Sequence, residues 1–162
     1  KELLEIFTLK NLHPRTIEYQ QQIVKCEAVS LHIRRGDYVT NTHTNRLHGT
    51  CDVRYYKRAA MEVLKNKKQA HFFIFSDDLD WAERKLDFIN NKTFIRLESD
   101  IPDYEEMNLM SQCKHNIIAN SSFSWWGAWL NTNEDKVVVA PKLWFAKNID
   151  TKDLLPDDWV SL

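Results

Sequence analysis

The chain has 162 residues, 43% hydrophobic and 12% aromatic, which is globular composition with enough length to bury a core in one domain spanning 1–162. Its 22 Lys and Arg against 23 Asp and Glu leave a formal net charge of −1. That balance excludes an overall basic field for gripping nucleic acid, so any anion site must be local. Cys26, Cys51 and Cys113 are widely spaced with no Cys-x-x-Cys pair, which argues against a disulfide framework and suits a reducing compartment. No apolar run approaches the roughly 18–20 residues needed to span a bilayer, and no signal peptide is apparent. The chain begins at Lys1, inside a helical pattern, and reads as a fragment.

In chain order, Pro14 to Lys25 is amphipathic and carries Pro in its first turn, predicting a helix. The apolar, partly β-branched run Ala28 to Ile33 predicts a strand. Thr40 to Asp52 is rich in Asn, Thr and His and reads as a polar loop on the acceptor side or between domains. Tyr56, Ala60, Val63 and Leu64 recur at helical spacing within Tyr55–Lys65. His71 to Phe75 predicts a second strand, Asp78 to Phe88 a helix with Leu79, Ala82 and Leu86 inward, and Thr93 to Leu97 a third strand. Asp103 is a candidate N-cap of the next helix, with Glu105 and Glu106 suited to its positive end. His115 to Ala119, Phe123 to Leu130 and Val137 to Ala140 predict a fourth strand, a helix and a fifth strand stopped by Pro141. Short apolar strands alternating with helices imply an α/β fold: a Rossmann-like, doubly wound parallel sheet covered on both faces. Ligands in such sheets bind beyond the carboxyl ends of the strands, so the residues following each strand are the candidates for chemistry.

The first strand runs into His32-Ile33-Arg34-Arg35-Gly36-Asp37. A guanidinium there can hold phosphate oxygens bidentately. Strand alternation puts His32 and Arg34 on one side and Arg35 on the other, so one arginine can face ligand while the other braces against a carboxylate such as Asp37. A surface Arg–Asp ion pair is the plainer reading. The second strand ends in Ser76-Asp77-Asp78-Leu79-Asp80. One carboxylate can accept a pair of hydrogen bonds from guanine, and either can instead cap the following helix. The Asp78-x-Asp80 pair and the set His43, His48 and Cys51 are weak metal signals, and no metal site is expected. The fourth strand leads into Asn120-Ser121-Ser122-Phe123-Ser124, where hydroxyls and free N–H groups at a helix start make an anion site. Trp125 and Trp129 share a helix face and read as core, and Gly127 as a point of close packing. Asn91-Lys92-Thr93 and Asn120-Ser121-Ser122 match the glycosylation acceptor pattern by chance.

The segments HIRRGDYV, FFIFSDDLDWA, DYEEMNLMSQCKHNIIANSSFSWWGAWLN and VVVAPKLWF, in that order, resemble the α-1,2-fucosyltransferases, glycosyltransferase family eleven. The likeness runs from about Val24 to Trp159, and the Ser-Ser-Phe-Ser-Trp-Trp-Gly form looks like the bacterial branch. The resemblance implies a two-domain, GT-B-like enzyme whose C-terminal half binds GDP-fucose. The N-terminal, acceptor-side domain opens with Gly-Gly-Leu-Gly-Asn-Gln. That motif is absent here, so the chain looks like the C-terminal domain alone, and the activity of the isolated domain is in question. The reaction so implied is an inverting, metal-independent transfer of L-fucose to the 2-hydroxyl of a galactose-terminated glycan, in the cytoplasm or peripherally on the inner membrane face.

Carried onto this chain, Arg34 or Arg35 stabilises the leaving β-phosphate. Ser121, Ser122 and the backbone that follows, through Phe123 and Ser124, hold phosphates, and Asp77 or Asp78 reads guanine with His32. The general base stays open among Asp37, the missing half, and a dissociative transition state needing little base assistance. Another GDP-sugar transferase and a non-catalytic nucleotide-binding module are the alternatives.

Overall fold

The computed structural model describes residues 9, 11–147 and 149–162. Its strands are β1 (Ala28–Ile33), β2 (His71–Ser76), β3 (Lys92–Phe94), β4 (His115–Ile117), β5 (Val138–Ala140) and β6 (Val160–Ser161). They form one six-stranded sheet in the order β3-β2-β1-β4-β5-β6, with every neighbouring pair parallel. The helices are α1 (Pro14–Ile23), α2 (Gly36–Thr40), α3 (Thr42–His48), α4 (Val53–Asn66), α5 (Leu79–Lys85), α6 (Asp103–Gln112) and α7 (Ser122–Trp129). This is the expected Rossmann-like α/β architecture.

Period-two alternation builds two cores from the same strands. Phe72 and Ile74 pack with Val29, Leu31 and Ile33 against Tyr56, Ala60 and Val63 of α4 and Ala82 of α5. Phe73 and Phe75 point to the opposite face, with Tyr19 and Ile23 of α1 and Leu109 and Met110 of α6. A third cluster joins Val138 and Ala140 to Trp144 and Trp159, with Trp125 and Trp129 of α7 half-buried against it. Gly127 lets α7 approach α6, since a Cβ there would lie 3.0 Å from that of Met110.

The differences from expectation have local causes. The polar segment 40–52 is largely helical: Asn41 accepts hydrogen bonds from the His43 and Thr44 N–H groups, which starts α3 without apolar periodicity. Asp103 is the first residue of α6 rather than its cap; Pro102 takes the cap position and offers no side-chain bond. Only two residues of β6 pair, with Val160 beside Val139, too short a run for alternation to announce.

The strand order reverses between β1 and β4. The chain builds β2 and β3 on one side of β1, then crosses to place β4 on the other. A crevice opens where the loops leaving those two strands diverge, which is the position for a ligand in an open α/β sheet.

Candidate functional site

Chain alternation separates the two arginines as β1 ends. Arg34 lines a cleft of about 560 Å³ at the crevice, alongside His32 from the same strand face. Its guanidinium reaches Asp37 at 2.7 Å and Asp77 at 3.2 Å. Arg35 points the other way: its Nε donates to Asp78 at 3.1 Å and its guanidinium lies 4.3 Å from the Trp81 ring centre. Arg35 is thus tied to the start of α5, while Arg34 lines the cleft, held there by Asp37 and Asp77. His32 is 4% exposed, and burial, then the Arg34 charge, holds it neutral with a pKa near about 3. Its ring Nδ1 is buried with no partner among the described residues.

The aspartates that end β2 divide in the same way. Asp77 lines the cleft and accepts the Arg35 backbone N–H at 2.8 Å. A Cβ on Gly36 would lie 2.7 Å from an Asp77 carboxylate oxygen, so glycine is what lets the β1 loop close onto that carboxylate. Asp78 caps α5, accepting the Trp81 N–H at 3.0 Å while its other oxygen takes Arg35. Ser76 lies on the cleft wall and its hydroxyl accepts the Asp78 N–H. Among the described residues no three His, Cys, Asp or Glu side chains converge as a metal site.

Beyond β4 the chain turns tightly into α7. Ser121 is the N-cap residue but makes no side-chain capping bond, so the first N–H groups of α7 are left without a side-chain cap. Ser121, Ser122 and Phe123 line the cleft there. Asn120 and Ser124 are buried beneath the turn. The Asn120 amide donates to the His48 and Trp144 carbonyls, and the Ser124 hydroxyl donates to the Ser121 carbonyl. The structure therefore gathers His32, Arg34, Asp37, Ser76, Asp77, Ser121, Ser122 and Phe123 around one cavity. Arg35, Asp78, Asn120 and Ser124 form its supporting layer.

Other cleft residues escaped the sequence reading. Tyr38 and Thr44, from α2 and α3, and His48 at the end of α3 form a wall. The Tyr38 and His48 rings stack at 4.7 Å, and the Tyr38 hydroxyl donates to the Asn120 carbonyl at 3.3 Å. From α6 come Asp103 and Glu106. Glu105 and Glu106 look alike in sequence but part by a helical step. Glu105 is buried and accepts the His13 N–H at 3.0 Å, while Glu106 faces the cleft. Burial, then the charges of Asp103 and Asp77, raise the Glu106 carboxyl to about 7.

A cleft that combines a guanidinium aimed by two aspartates, an uncapped helix start and a neutral buried histidine can bind an anion and a hydrogen-bonding ring together. The comparisons agree with that chemistry. Residues 2–162 match the family described as Glycosyl transferase family 11. The O-antigen biosynthesis glycosyltransferase WbnK of Escherichia coli is 46% identical over 144 residues, covering 86% of this chain and 47% of that protein. An α-1,2-colitosyltransferase of Escherichia coli is 37% identical, over 100% of this chain and 57% of its own length. Human galactoside α-(1,2)-fucosyltransferase 1 is 26% identical over 83% of this chain and 38% of its own length. The chain thus spans about half the length of its bacterial relatives, and among the described residues no helix is long and apolar enough to cross a membrane.

Proposed function

Because the chain belongs to glycosyl transferase family 11, we propose that it forms the donor-binding part of a GDP-sugar glycosyltransferase that moves L-fucose to the 2-hydroxyl of a galactoside with inversion. The observation that carries this reading is the pairing, at the β1–β4 crevice, of the Arg34 guanidinium with the uncapped start of α7. Two of the relatives bear an α-1,2 linkage in their names, which supports the linkage. The acceptor is a galactose-terminated glycan, held in part by the portion of the relatives' length that lies outside this chain.

The diphosphate sits across the start of α7, where N–H groups and the Ser121 and Ser122 hydroxyls meet its oxygens. As the sugar's C1–O bond breaks, negative charge gathers on the departing β-phosphate. Arg34 opposes that charge in a water-poor cleft, so its contact is stronger in the transition state than with bound donor. Asp37 and Asp77 aim Arg34, and Arg35 fixes the loop from behind. The aspartates that end β2, of which Asp77 lines the cleft, meet the guanine N1–H and N2–H edge, with His32 beside them. The charge on the phosphates is met by the chain's own groups, so donor binding needs no added metal.

A second reading keeps the site and changes the sugar. The colitosyltransferase is 37% identical against 26% for the human fucosyltransferase, which favours colitose as the donor's sugar. Calorimetry of this chain with GDP in excess chelator tests the shared part. Binding of GDP with UDP at least about tenfold weaker is the expected result. Equal binding of UDP, or binding that appears only with magnesium or manganese, would refute the reading. Competition between GDP-fucose and GDP-colitose then separates the two sugars.

A further inference from the structure

The cleft has two ends, set by the two faces of the sheet. His32 stands beside Phe75 in register, so it shares the face covered by α1 and α6, and Phe123 packs on that same side. The His32 and Phe123 ring centres lie 5.8 Å apart, and α6 supplies Asp103 and Glu106 to this end. The other end belongs to α2 and α3. There the His48 carbonyl accepts the Asn120 amide at 2.9 Å, and the Asn120 side-chain oxygen accepts the thiol of Cys51, a member of the opposite core, at 3.5 Å. Tyr38, Thr44 and His48 line the cavity at this end.

Arg34 and the start of α7 join the two ends. The Arg34 charge acts on His32 to one side, and its guanidinium carbon is 5.6 Å from the Tyr38 ring centre on the other. The Tyr38 hydroxyl donates to the carbonyl of Asn120, the residue before Ser121. The wall is braced from behind. The Asn45 amide donates to the Tyr38 carbonyl at 2.5 Å, the Ala146 N–H donates to the Leu47 carbonyl at 2.9 Å, and the Phe145 ring lies 5.4 Å from that of His48. Its front is unspent. Among the described residues the Thr44 side chain makes no hydrogen bond, its backbone N–H being the group that Asn41 caps. The His48 ring stacks but makes no hydrogen bond either, and its Nδ1 is buried without a partner.

We infer that the wall of Tyr38, Thr44 and His48 holds the sugar of the donor, with the Thr44 hydroxyl and the His48 ring meeting the sugar's hydroxyl groups. The inference rests on the donor-site reading above and carries it from the nucleotide to the group that is transferred. A nucleoside diphosphate sugar is linear in its parts, with the diphosphate between base and sugar. That reading sets the diphosphate at Arg34 and the start of α7, and the base beside His32. The sugar then leaves the diphosphate toward the α3 end. The chemistry of the two ends agrees with this polarity. The α6 end offers rings and carboxylates, which suit a base with an N–H edge. The α3 end offers a hydroxyl and an imidazole, which donate as well as accept and so suit a ring bearing hydroxyls. A wall braced in advance also costs little to order on binding.

The test uses the transferase of full relative length that contains this chain, as wild type, Thr44→Val and His48→Phe. The first variant removes a hydroxyl at nearly constant shape, and the second keeps a ring for Tyr38 to stack on. Calorimetry measures GDP, GDP-fucose and GDP-colitose binding to each, with melting and the acceptor KM beside it. Each variant should bind GDP within about twofold of wild type and bind the better of the two GDP-sugars roughly three- to tenfold more weakly, the worth of one hydrogen bond. Should His48→Phe melt well below wild type, Thr44→Val decides alone. GDP and GDP-sugar weakened equally would overturn the inference, because the wall would then act on the nucleotide or the fold. GDP-sugar binding unchanged would overturn it too, and a raised acceptor KM in that case would give the wall to the acceptor. Wild-type protein that binds no GDP would instead sink the donor-site reading, and this inference with it.

Discussion

Two charge clusters sit at opposite edges of one sheet. At the amino edge, Glu27 is shared among Lys114 at 2.7 Å, His115 at 3.0 Å and Lys67 at 3.3 Å. The His115 Nδ1 accepts the Val137 N–H, so its proton lies on Nε2 and is donated to Glu27. That carboxylate meets three donors, and the cluster is closed. At the carboxyl edge Arg34, Asp37, Asp77 and Glu106 surround a cavity. There the Arg34 guanidinium, held by Asp37 and Asp77, lines the cavity, and among the described residues the Glu106 carboxyl and a buried histidine nitrogen have no partner. Residue types do not separate the two edges, since both are Lys, Arg, His and acid beside strand ends. What separates them is whether each polar group finds a partner within the protein. Groups left over at one edge only are the signature of a ligand.

The largest effect expected of breaking this contrast is at the arginines. In the full-length transferase, Arg34→Ala should lower kcat about a hundredfold or more, as loss of a preorganised electrostatic stabiliser does. Arg34→Lys should recover little, because the bidentate fork is gone. Arg35→Ala should act on the fold instead, removing the Asp78 pair and the stacking on Trp81 and lowering Tm by several degrees, about 1–2 kcal/mol. Melting and kinetics on the same three proteins check both. Two equally stable variants with near-normal transfer would erase the distinction between the arginines.

A smaller effect should appear in the pH dependence of stability, with opposite sign at the two edges. The Lys114 and His115 bonds hold the Glu27 carboxyl down near about 2. Its folded pKa is depressed, so its stabilisation is complete above about pH 4.5 and is lost as pH falls toward 2. Glu27→Gln should therefore lower Tm at pH 7 and flatten the Tm curve between those values. Glu106 is raised to about 7, so its ionisation works against the fold from about pH 4.5 up to 7 and beyond. Glu106→Gln should raise Tm at pH 8 and leave it nearly unchanged at pH 4. Melting curves from pH 3 to 8 measure both, and a stabilising Glu27→Gln would contradict the closed cluster.

Much of this was legible in the sequence because strands with both faces buried read as short apolar runs, and the chemistry falls just after them. Arg34, Asp77 and the Ser121–Phe123 turn were marked by that rule, while His32, inside β1, entered only through the family resemblance. Alternation predicted that one arginine faces ligand, but not which edge of the strand opens on a cavity; that depends on where β4 pairs. The α2–α3 wall was hidden because its helices are short and polar and are held by Asn41 and by stacking of Tyr38 on His48, not by an apolar stripe. Glu106 was hidden by its neighbour. An acidic pair in a first turn is explained by the helix dipole, and only the packing of α6 sends Glu105 to the His13 backbone and Glu106 to the cleft.

On the proposed function the carboxyl edge, not the amino edge, takes a nucleoside diphosphate. Titration of the isotopically labelled chain with GDP, followed by amide chemical shifts, tests it most directly. Large shifts are expected at Arg34, Asp77, Ser122 and Phe123, saturating together, with Glu27, Lys67, Lys114 and His115 unmoved. Shifts centred on the amino-edge cluster, or spread without saturation over both edges, would contradict it.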